Sequence, residues 1–501
     1  MRAGGLKPAS TRTTATEISI PQLYFTDLGA LGGSAMMTHG GMLAFSAAAI
    51  AAAEKAGLSE GMPFILDDDG RYDLDLNRFF RACPTMGVRS PNSLRAYGRD
   101  LVVWIRFLRE RRDGKSVWQA DRDDLAVYHA ARRRSAPTHR ISAASWNRAV
   151  AALEKFYAWA LEEELVTTSP FGSGMAWWRI HRGRLVPVKT IRAREPGARR
   201  SDVRFVSLDH FLFFRDVGLR GRDPDGREDS EWRGRHGERN ALFAELVVTT
   251  GLRLEEAASL LATEMPTPDR MPAKQRSLSF RLPAAIAKGG RAREIRLPVR
   301  LVRRLADYIA IERANALGKR RVVVRRPIIG VDATGATIGI LGKDGATRAV
   351  RLDLLGPTER KRLVTPAGEP MALWLNEGGC PMTAEAWAAV FRRASVRCCS
   401  LGIDLTITPH GLRHTFAVYI LSMLIRQQIG AVLADGRPDE PGSAAYRRMV
   451  GDPLQKLQRL LGHASITSTY IYLDSLEESR ALVEAAAERW SEALDAPMST
   501  S

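Results

Sequence analysis

From residue 73 onward, hydrophobic side chains recur at helical spacing. Leu94, Tyr97, Leu101, Trp104, Ile105 and Leu108 fall at i, i+3 and i+4 intervals, with Arg95, Arg99, Asp100, Arg106 and Arg109 between them. That pattern predicts an amphipathic helix following the turn Pro91-Asn92-Ser93, with Ser93 as its N-cap. A second helix is expected from Asp123 to Arg133. A third is expected from Ser142 to Glu163, with Trp146, Val150, Leu153, Phe156, Tyr157 and Ala160 on one face, ahead of the helix-breaking Pro170. Residues 72–176 therefore read as a small all-helical domain with arginines facing outward. Before it, residues 1–71 are rich in Gly, Ala and Thr and show little periodicity beyond a possible helix over Met42–Ala56, so they read as an N-terminal extension without an assigned role, partly disordered at its very start.

Residues 205–490 carry a more mixed pattern. A helix is expected over Ala241–Thr250, then two strands, Ser277–Pro283 and Arg293–Pro298, joined through Gly289-Gly290 as a hairpin. Short β-branched runs alternate with Gly, Asp and Pro from Val322 to Trp374; the remainder is helical, with a tail at 491–501. The predicted fold class is mainly α with a small antiparallel β-sheet.

Composition narrows the function. In 501 residues, 74 Lys plus Arg face 56 Asp plus Glu, a formal charge of +18. Such a length calls for two or three domains, and such an excess points to a polyanion, with nucleic acid ahead of an acidic membrane surface. Four cysteines without a C-x-x-C pair make no disulfide framework and suit the cytoplasm. The longest apolar stretch, Met42–Ala53, is too short to span a bilayer and lacks the flanks of a signal peptide. Residues 177–204 concentrate charge: Arg179, Arg182, Arg184, Lys189, Arg192, Arg194, Arg199, Arg200 and Arg204 stand against Glu195 and Asp202. With Gly183, Pro187, Pro196 and Gly197 interrupting it, this stretch reads as a basic interdomain linker. Arg95, Arg99 and Arg148 of the helical domain, with Arg182, Arg184, Lys189 and Arg192 of the linker, are the expected DNA contacts.

Four short patterns in the larger unit carry chemistry: Thr249-Thr250-Gly251-Leu252-Arg253 with Glu255-Glu256; Lys288 at the Gly-Gly turn; His410-Gly411-Leu412-Arg413-His414; and Leu461-Gly462-His463 followed by Tyr472. Two arginines can fork onto the oxygens of one phosphate and stabilise a pentacoordinate transition state. A lysine can protonate a leaving alkoxide, histidines can share protons near neutral pH, and a tyrosine lowered by two guanidiniums can attack phosphorus. The Tyr472 pKa is accordingly expected to fall. Such a set performs phosphoryl transfer without a metal or other cofactor.

The segments TTGLRLEEAASL, AKGGRAREIRLP, TPHGLRHTFAVYIL and LQRLLGHASITSTYIYL resemble the active-site boxes of the tyrosine recombinases, the phage-integrase family, in their family order. LWLNEGGCPMTAEAWAAVFRRA is similar to the stretch before the H-x-x-R box, and SLRAYGRDLVVWIRFL with SWNRAVAALEKFYAWALEEELVTTSPF to the helical core-binding domain. The likeness runs from about residue 75 to 490. It implies a SAM-like core-binding domain joined to an α/β catalytic domain. It assigns Arg253 as first arginine, Lys288 as hairpin lysine, His410 and Arg413 as the H-x-x-R pair, His463 as the later histidine and Tyr472 as nucleophile. It further implies a 3′-phosphotyrosyl intermediate, strand exchange through a Holliday junction, four protomers on double-stranded DNA at specific sites, and helper proteins in some systems. Integrases and transposases of mobile elements act this way. A non-catalytic DNA-binding accessory of the same fold, and a DNA-relaxing type IB topoisomerase, are the rival functions.

Tyr470 competes with Tyr472 and Lys274 with Lys288; family spacing and the turn position favour the second of each pair. His410 and His414, at i and i+4, lack the Glu of H-E-x-x-H and a third ligand, so zinc is not expected. Glu256 is expected to orient rather than to catalyse, Cys398-Cys399 to be a buried helix pair, and Trp177-Trp178 to pack. The stretch Ala434–Ser443 reads as an insertion between Arg413 and His463, and the region 322–374 exceeds a minimal catalytic domain. Leu476–Leu494 is expected to be a helix suited to docking on a neighbouring protomer.

Overall fold

The computed structural model describes residues 21–26, 36–38, 41–43, 55–67, 70–88, 90–179, 185–191, 193–195, 205–267, 275–319, 323–325, 327–334, 336–342, 344–434, 452–473 and 476. The chain divides into two compact units, Met1–Arg200 and Ser201–Ser501. It is helix-dominated with small, mostly antiparallel sheets.

In the first unit, strand β1 (Gln22–Phe25) pairs antiparallel with β4 (Pro63–Leu66), while β2 (Met36–Thr38) pairs with β3 (Gly41–Leu43). Met42 thus lies in a strand where a helix was expected: two residues, the second a glycine, separate two short runs and suit a tight hairpin. Residues 44–54 of that expected helix lie outside the described residues. Four helices follow: α1 (Leu74–Ala82), α2 (Pro91–Arg111), α3 (Arg122–Arg133) and α4 (Ala143–Glu162). Helix α2 begins two residues before the expected Ser93 cap, because Pro91 presets the first helical φ and Ser90 takes the cap position. Trp104, Leu108, Tyr128, Trp146, Phe156 and Tyr157 fill the core, with the Trp104 indole donating to the Tyr157 hydroxyl at 2.9 Å.

Part of the expected extension belongs to this same core. Met62 and Ile65 are buried in it, and the Asn77 amide of α1 both accepts from Ile65 N (2.7 Å) and donates to Ile65 O (2.9 Å). Their burial beneath α1 and α2 binds residues 21–26 and 55–67 to the bundle. The basic stretch also has structure: β5 (Ser173–Arg179) and β6 (Leu185–Ile191) form an antiparallel hairpin. Beyond it Glu195 is fixed to the bundle by Arg133 (2.6 Å), His129 (2.7 Å) and the Asn147 amide.

In the second unit, α5 (Leu208–Phe213) runs into a π-turn over Phe214–Leu219, followed by α6 (Gly237–Thr250) and α7 (Leu254–Ala258). The hairpin β7 (Ser277–Leu282) and β8 (Arg293–Pro298) lies where expected, and leads into α8 (Val299–Tyr308), continued through a π-turn into α9 (Ala314–Gly318). The β-rich middle forms a sheet of β9 (Ile328–Thr334), β10 (Thr337–Leu341), β11 (Thr347–Arg351) and β12 (Leu363–Val364), in the order β11-β10-β9-β12. Helices α10 (Pro357–Arg362), α11 (Ala384–Ser400), α12 (Pro409–Ala434), α13 (Pro453–Leu461) and α14 (Thr467–Tyr470) complete the described residues.

The main core gathers Leu242, Phe243 and Leu246 of α6 against Trp374, Trp387 and Phe391, the Phe243 and Trp387 rings stacking at 3.7 Å. A smaller cluster, Phe416, Val418, Leu421, Leu457 and Leu461, surrounds Tyr472. Cys398 is buried and Cys399 exposed, since adjacent helix positions differ by about 100°. The stretch 435–443 and the expected helix beyond Leu476 lie outside the described residues.

Candidate active site

Local backbone devices set several of the candidate side chains. Helix α6 ends at Gly251, whose φ of 65° is the left-handed conformation that favours glycine. A Cβ there would also come within 2.3 Å of the Phe416 ring. The chain then turns so that Arg253 caps α7, and Glu256, three positions on, accepts from Arg253 N at 2.8 Å and from its guanidinium at 3.1 Å. Lys288 is exposed in the connection between β7 and β8, and its backbone N–H points to Glu256 at 3.3 Å.

Glu256 is 1% exposed. Burial opposes its charge, yet the Arg293 fork and the Arg253 N–H bonds win, holding its carboxyl down at about 2. It is a buried anchor for cations, in keeping with its expected orienting role. Glu256→Gln is expected to destabilise the fold by roughly 3–5 kcal/mol, because Arg253 and Arg293 keep their charges and lose their partner. Chemical denaturation of the wild-type and variant chains measures the difference.

Arg413, on the first turn of α12, is 2% exposed and spans two elements: its guanidinium donates to Gly251 O and, at 2.6 Å, to Leu461 O. Burial, then the nearby Arg253, push its pKa down to about 9, which leaves it cationic at neutral pH. His410, on the same turn, is exposed and stands 4.2 Å from the His414 ring, centroid to centroid.

Gly462, again left-handed at φ 63°, ends α13 and delivers His463, whose Nδ1 lies 3.0 Å from Thr469 Oγ1. One short helix further on, Tyr472 is 1% exposed while Tyr470 is 48% exposed. The Tyr472 hydroxyl lies within hydrogen-bond distance of His414 Nδ1, at 3.0 Å, and its ring lies 6.2 Å from that of His463. The structure thus brings Arg253, Lys288, His410, Arg413, His463 and Tyr472 around one centre, with Glu256 beneath.

One expectation is corrected. The Tyr472 pKa is raised, not lowered: burial in the Phe416–Leu457–Leu461 cluster outweighs the pull of Arg413 and Arg253. The group in contact with the Tyr472 hydroxyl is His414, which the sequence reading did not assign to the site. Burial and neighbouring cations drive both His414 and His463 down to about 4, and His410 downward, so His414 is neutral at pH 7. The repeated H-x-x-R-H histidine was the signal available.

Those depressed values fix a sign. Between about pH 6.5 and 4 the unfolded chain binds protons that folded His414 and His463 refuse, so stability falls as pH falls through that window. Thermal melts across the window should show a steeper loss for the wild-type chain than for a His414→Gln, His463→Gln double variant.

The expected DNA contacts fare unevenly. Arg99 is exposed, Arg95 stacks 5.5 Å over the Phe25 ring, and Arg148 forks onto Asp100 at 3.0 and 3.1 Å. Arg182, Arg184 and Arg192, like Lys274, lie outside the described residues; Lys189 is in β6, its side chain undescribed, as are those of Trp177 and Trp178 in β5. Among the described residues no group of three His, Cys, Asp or Glu is placed to hold a metal ion, and no helix is long and apolar enough to cross a membrane.

Both units resemble known proteins. The model of the phage integrase N-terminal SAM-like domain matches residues 76–164, and that of the phage integrase family matches residues 230–429; together they take in more than half of the chain. The second match stops before His463 and Tyr472, beyond the stretch read as an insertion. Tyrosine recombinase XerD of Halalkalibacterium halodurans is 21% identical over 385 residues, covering 76% of this chain and 87% of that protein. XerD of Corynebacterium glutamicum is 33% identical over 137 residues, covering 26% of this chain and 34% of that protein. Two XerD proteins of Xanthomonas are matched over 50% and 63% of their length, so the chain spans from a third to just under two thirds of these three curated relatives. Among solved structures, the XerH site-specific recombinase bound to difH, post-cleavage, is similar with a TM-score of 0.43 and 15% identity, over 83% of this chain and 85% of that one. The Tn1549 transposon integrase with transposon right end DNA has a TM-score of 0.42 and 13% identity, over 82% and 99%. The chain belongs to the phage integrase family of tyrosine recombinases.

Proposed function

We propose that this protein is a site-specific DNA recombinase, the integrase or transposase of a mobile element, which cuts and rejoins double-stranded DNA through a 3′-phosphotyrosyl intermediate. The observation that carries the proposal is the 3.0 Å contact between the Tyr472 hydroxyl and a neutral His414 nitrogen, beside two guanidiniums.

Tyr472 Oη attacks the scissile phosphorus while its proton passes to His414 Nδ1, whose basicity the bound phosphate anion raises from the depressed value it has without DNA. The bond to the 5′-oxygen breaks, and that alkoxide takes a proton from Lys288. Arg253 and Arg413 bear the extra negative charge of the transition state, and His410 and His463 hydrogen-bond the phosphate oxygens. A 5′-hydroxyl from a partner strand then attacks the phosphotyrosyl ester, the proton returns, and the strands are exchanged through a Holliday junction. No ATP enters, because the ester keeps the bond energy, and the arginines and Lys288 fill the charge and acid roles without a metal. Residues 72–176, the basic stretch 177–204 and the catalytic domain at 205–490 each contact DNA, with Arg95, Arg99, Arg148, Arg182, Arg184, Lys189 and Arg192 on phosphates, Arg148 by the exposed part its Asp100 fork leaves open. Four protomers act on two sites in the cytoplasm, with helper proteins where a system uses them.

The test begins with duplexes recovered from a random-sequence pool by binding to the full chain. Nicked versions of these lose the short 5′-hydroxyl fragment after cleavage and trap the enzyme. A covalent adduct on the 3′-phosphate side, with a free 5′-hydroxyl on the released fragment, is the expected product. Tight binding without any adduct would favour the accessory function; relaxation of supercoiled DNA without exchange would favour the topoisomerase.

A further inference from the structure

Arg293 joins the two halves of this site. With the two-residue period of a strand, it shares the inward face of β8 with buried Ile295 and Leu297, so a cation stands where the pattern calls for an apolar side chain. Its guanidinium forks onto both oxygens of Glu256, at 3.0 and 2.6 Å, and its Nε donates to Leu460 O at 3.0 Å. Glu256 carries Arg253 and the backbone of Lys288; Leu460 lies in the last turn of α13, which leads through Gly462 to His463 and Tyr472. The carbonyls ending a helix are its negative pole, and a guanidinium there is favoured. Packing is close as well: a Cβ on Gly462 would come 2.9 Å from Arg293 Cδ.

We infer that Arg293 is a positioning residue, a strut that holds the His463–Tyr472 segment in register with Arg253 and Lys288. The inference rests on the recombinase function proposed above. Its fork is occupied by Glu256, so it acts through that carboxylate and the α13 terminus rather than on DNA. Lysine, a single point charge, cannot meet both carboxylate oxygens and Leu460 O together.

The test compares the full-length wild-type chain with Arg293→Lys, and with Arg293→Gln should the lysine variant not fold. Adduct formation is followed on the nicked duplexes with an ordinary scissile phosphate and with a 5′-bridging phosphorothiolate. In the latter, Tyr472 Oη bonds to phosphorus, the P–S bond breaks, and the thiolate leaves with its electron pair and needs no proton. The variant is expected to bind DNA within threefold of wild type, to react at least tenfold more slowly on the ordinary phosphate, and to stay slow on the phosphorothiolate, on which Lys288→Ala should recover. Amide hydrogen exchange across 453–473 should rise, with 208–250 unchanged. A wild-type rate with unchanged exchange would overturn the strut, and so would full rescue by the phosphorothiolate, which would assign Arg293 to Lys288 alone. If the wild-type chain makes no adduct on either DNA, the recombinase function fails, and exchange across 453–473 still decides for or against the strut.

Discussion

Tyr472→Phe is expected to bind DNA as the wild-type chain does and to form no covalent adduct, a loss on the order of 10⁴-fold or more, as when a covalent nucleophile is removed. The substitution keeps the ring that fills the space among Phe416, Leu457 and Leu461, and deletes only the hydroxyl that reaches His414. The cost to stability is one hydrogen bond, about 1 kcal/mol, so the protein stays folded. Tyr470→Phe is the control: that ring is largely exposed, and its loss should change the rate less than twofold. Binding by gel shift and adduct yield on nicked duplexes measure both variants. An adduct that persists in Tyr472→Phe would refute the nucleophile.

Arg413→Lys should lower the rate of adduct formation by about 10²–10³-fold, the usual cost of one lost donor to a transition-state oxygen. The expectation rests on how the arginine is held. It is buried and bonded to Gly251 O and Leu461 O, so its position is set by the ends of α6 and α13. Lysine retains the charge but cannot fork, and it leaves one of two buried carbonyls without its partner, at about 1–3 kcal/mol. Single-turnover kinetics on saturating DNA separate the slowed step from weakened binding. An unchanged rate would exclude Arg413 from transition-state stabilisation.

The parts of this site that were legible in the sequence are those decided within a few residues of chain. Gly251 before Arg253, Gly462 before His463 and the Gly289-Gly290 turn after Lys288 are local devices, and the helical period of α2 to α4 is a local pattern. What was not legible depends on partners far along the chain. The Tyr472 pKa rises because Phe416 and Leu457 bury it, and counting nearby arginines alone gave the wrong sign. Arg293 meets Glu256 across 37 positions, and only its place on the inward face of β8 marked it. Strand β1 has four residues, too few for a period to emerge, yet its sheet with β4 brings Ile65 into the helical core. Part of the stretch that read as a linker at 177–204 pairs as the β5–β6 hairpin, with Pro187 opposite Trp177 across the two strands.

The central claim is that Tyr472, held by His414 and flanked by Arg253 and Arg413, joins covalently to DNA. The most direct measurement is to digest the trapped adduct with protease and nuclease and locate the nucleotide-bearing peptide by mass spectrometry. A 3′-nucleotide phosphate on Tyr472 is the predicted result; the same mass on Tyr470 or any other residue would contradict the account.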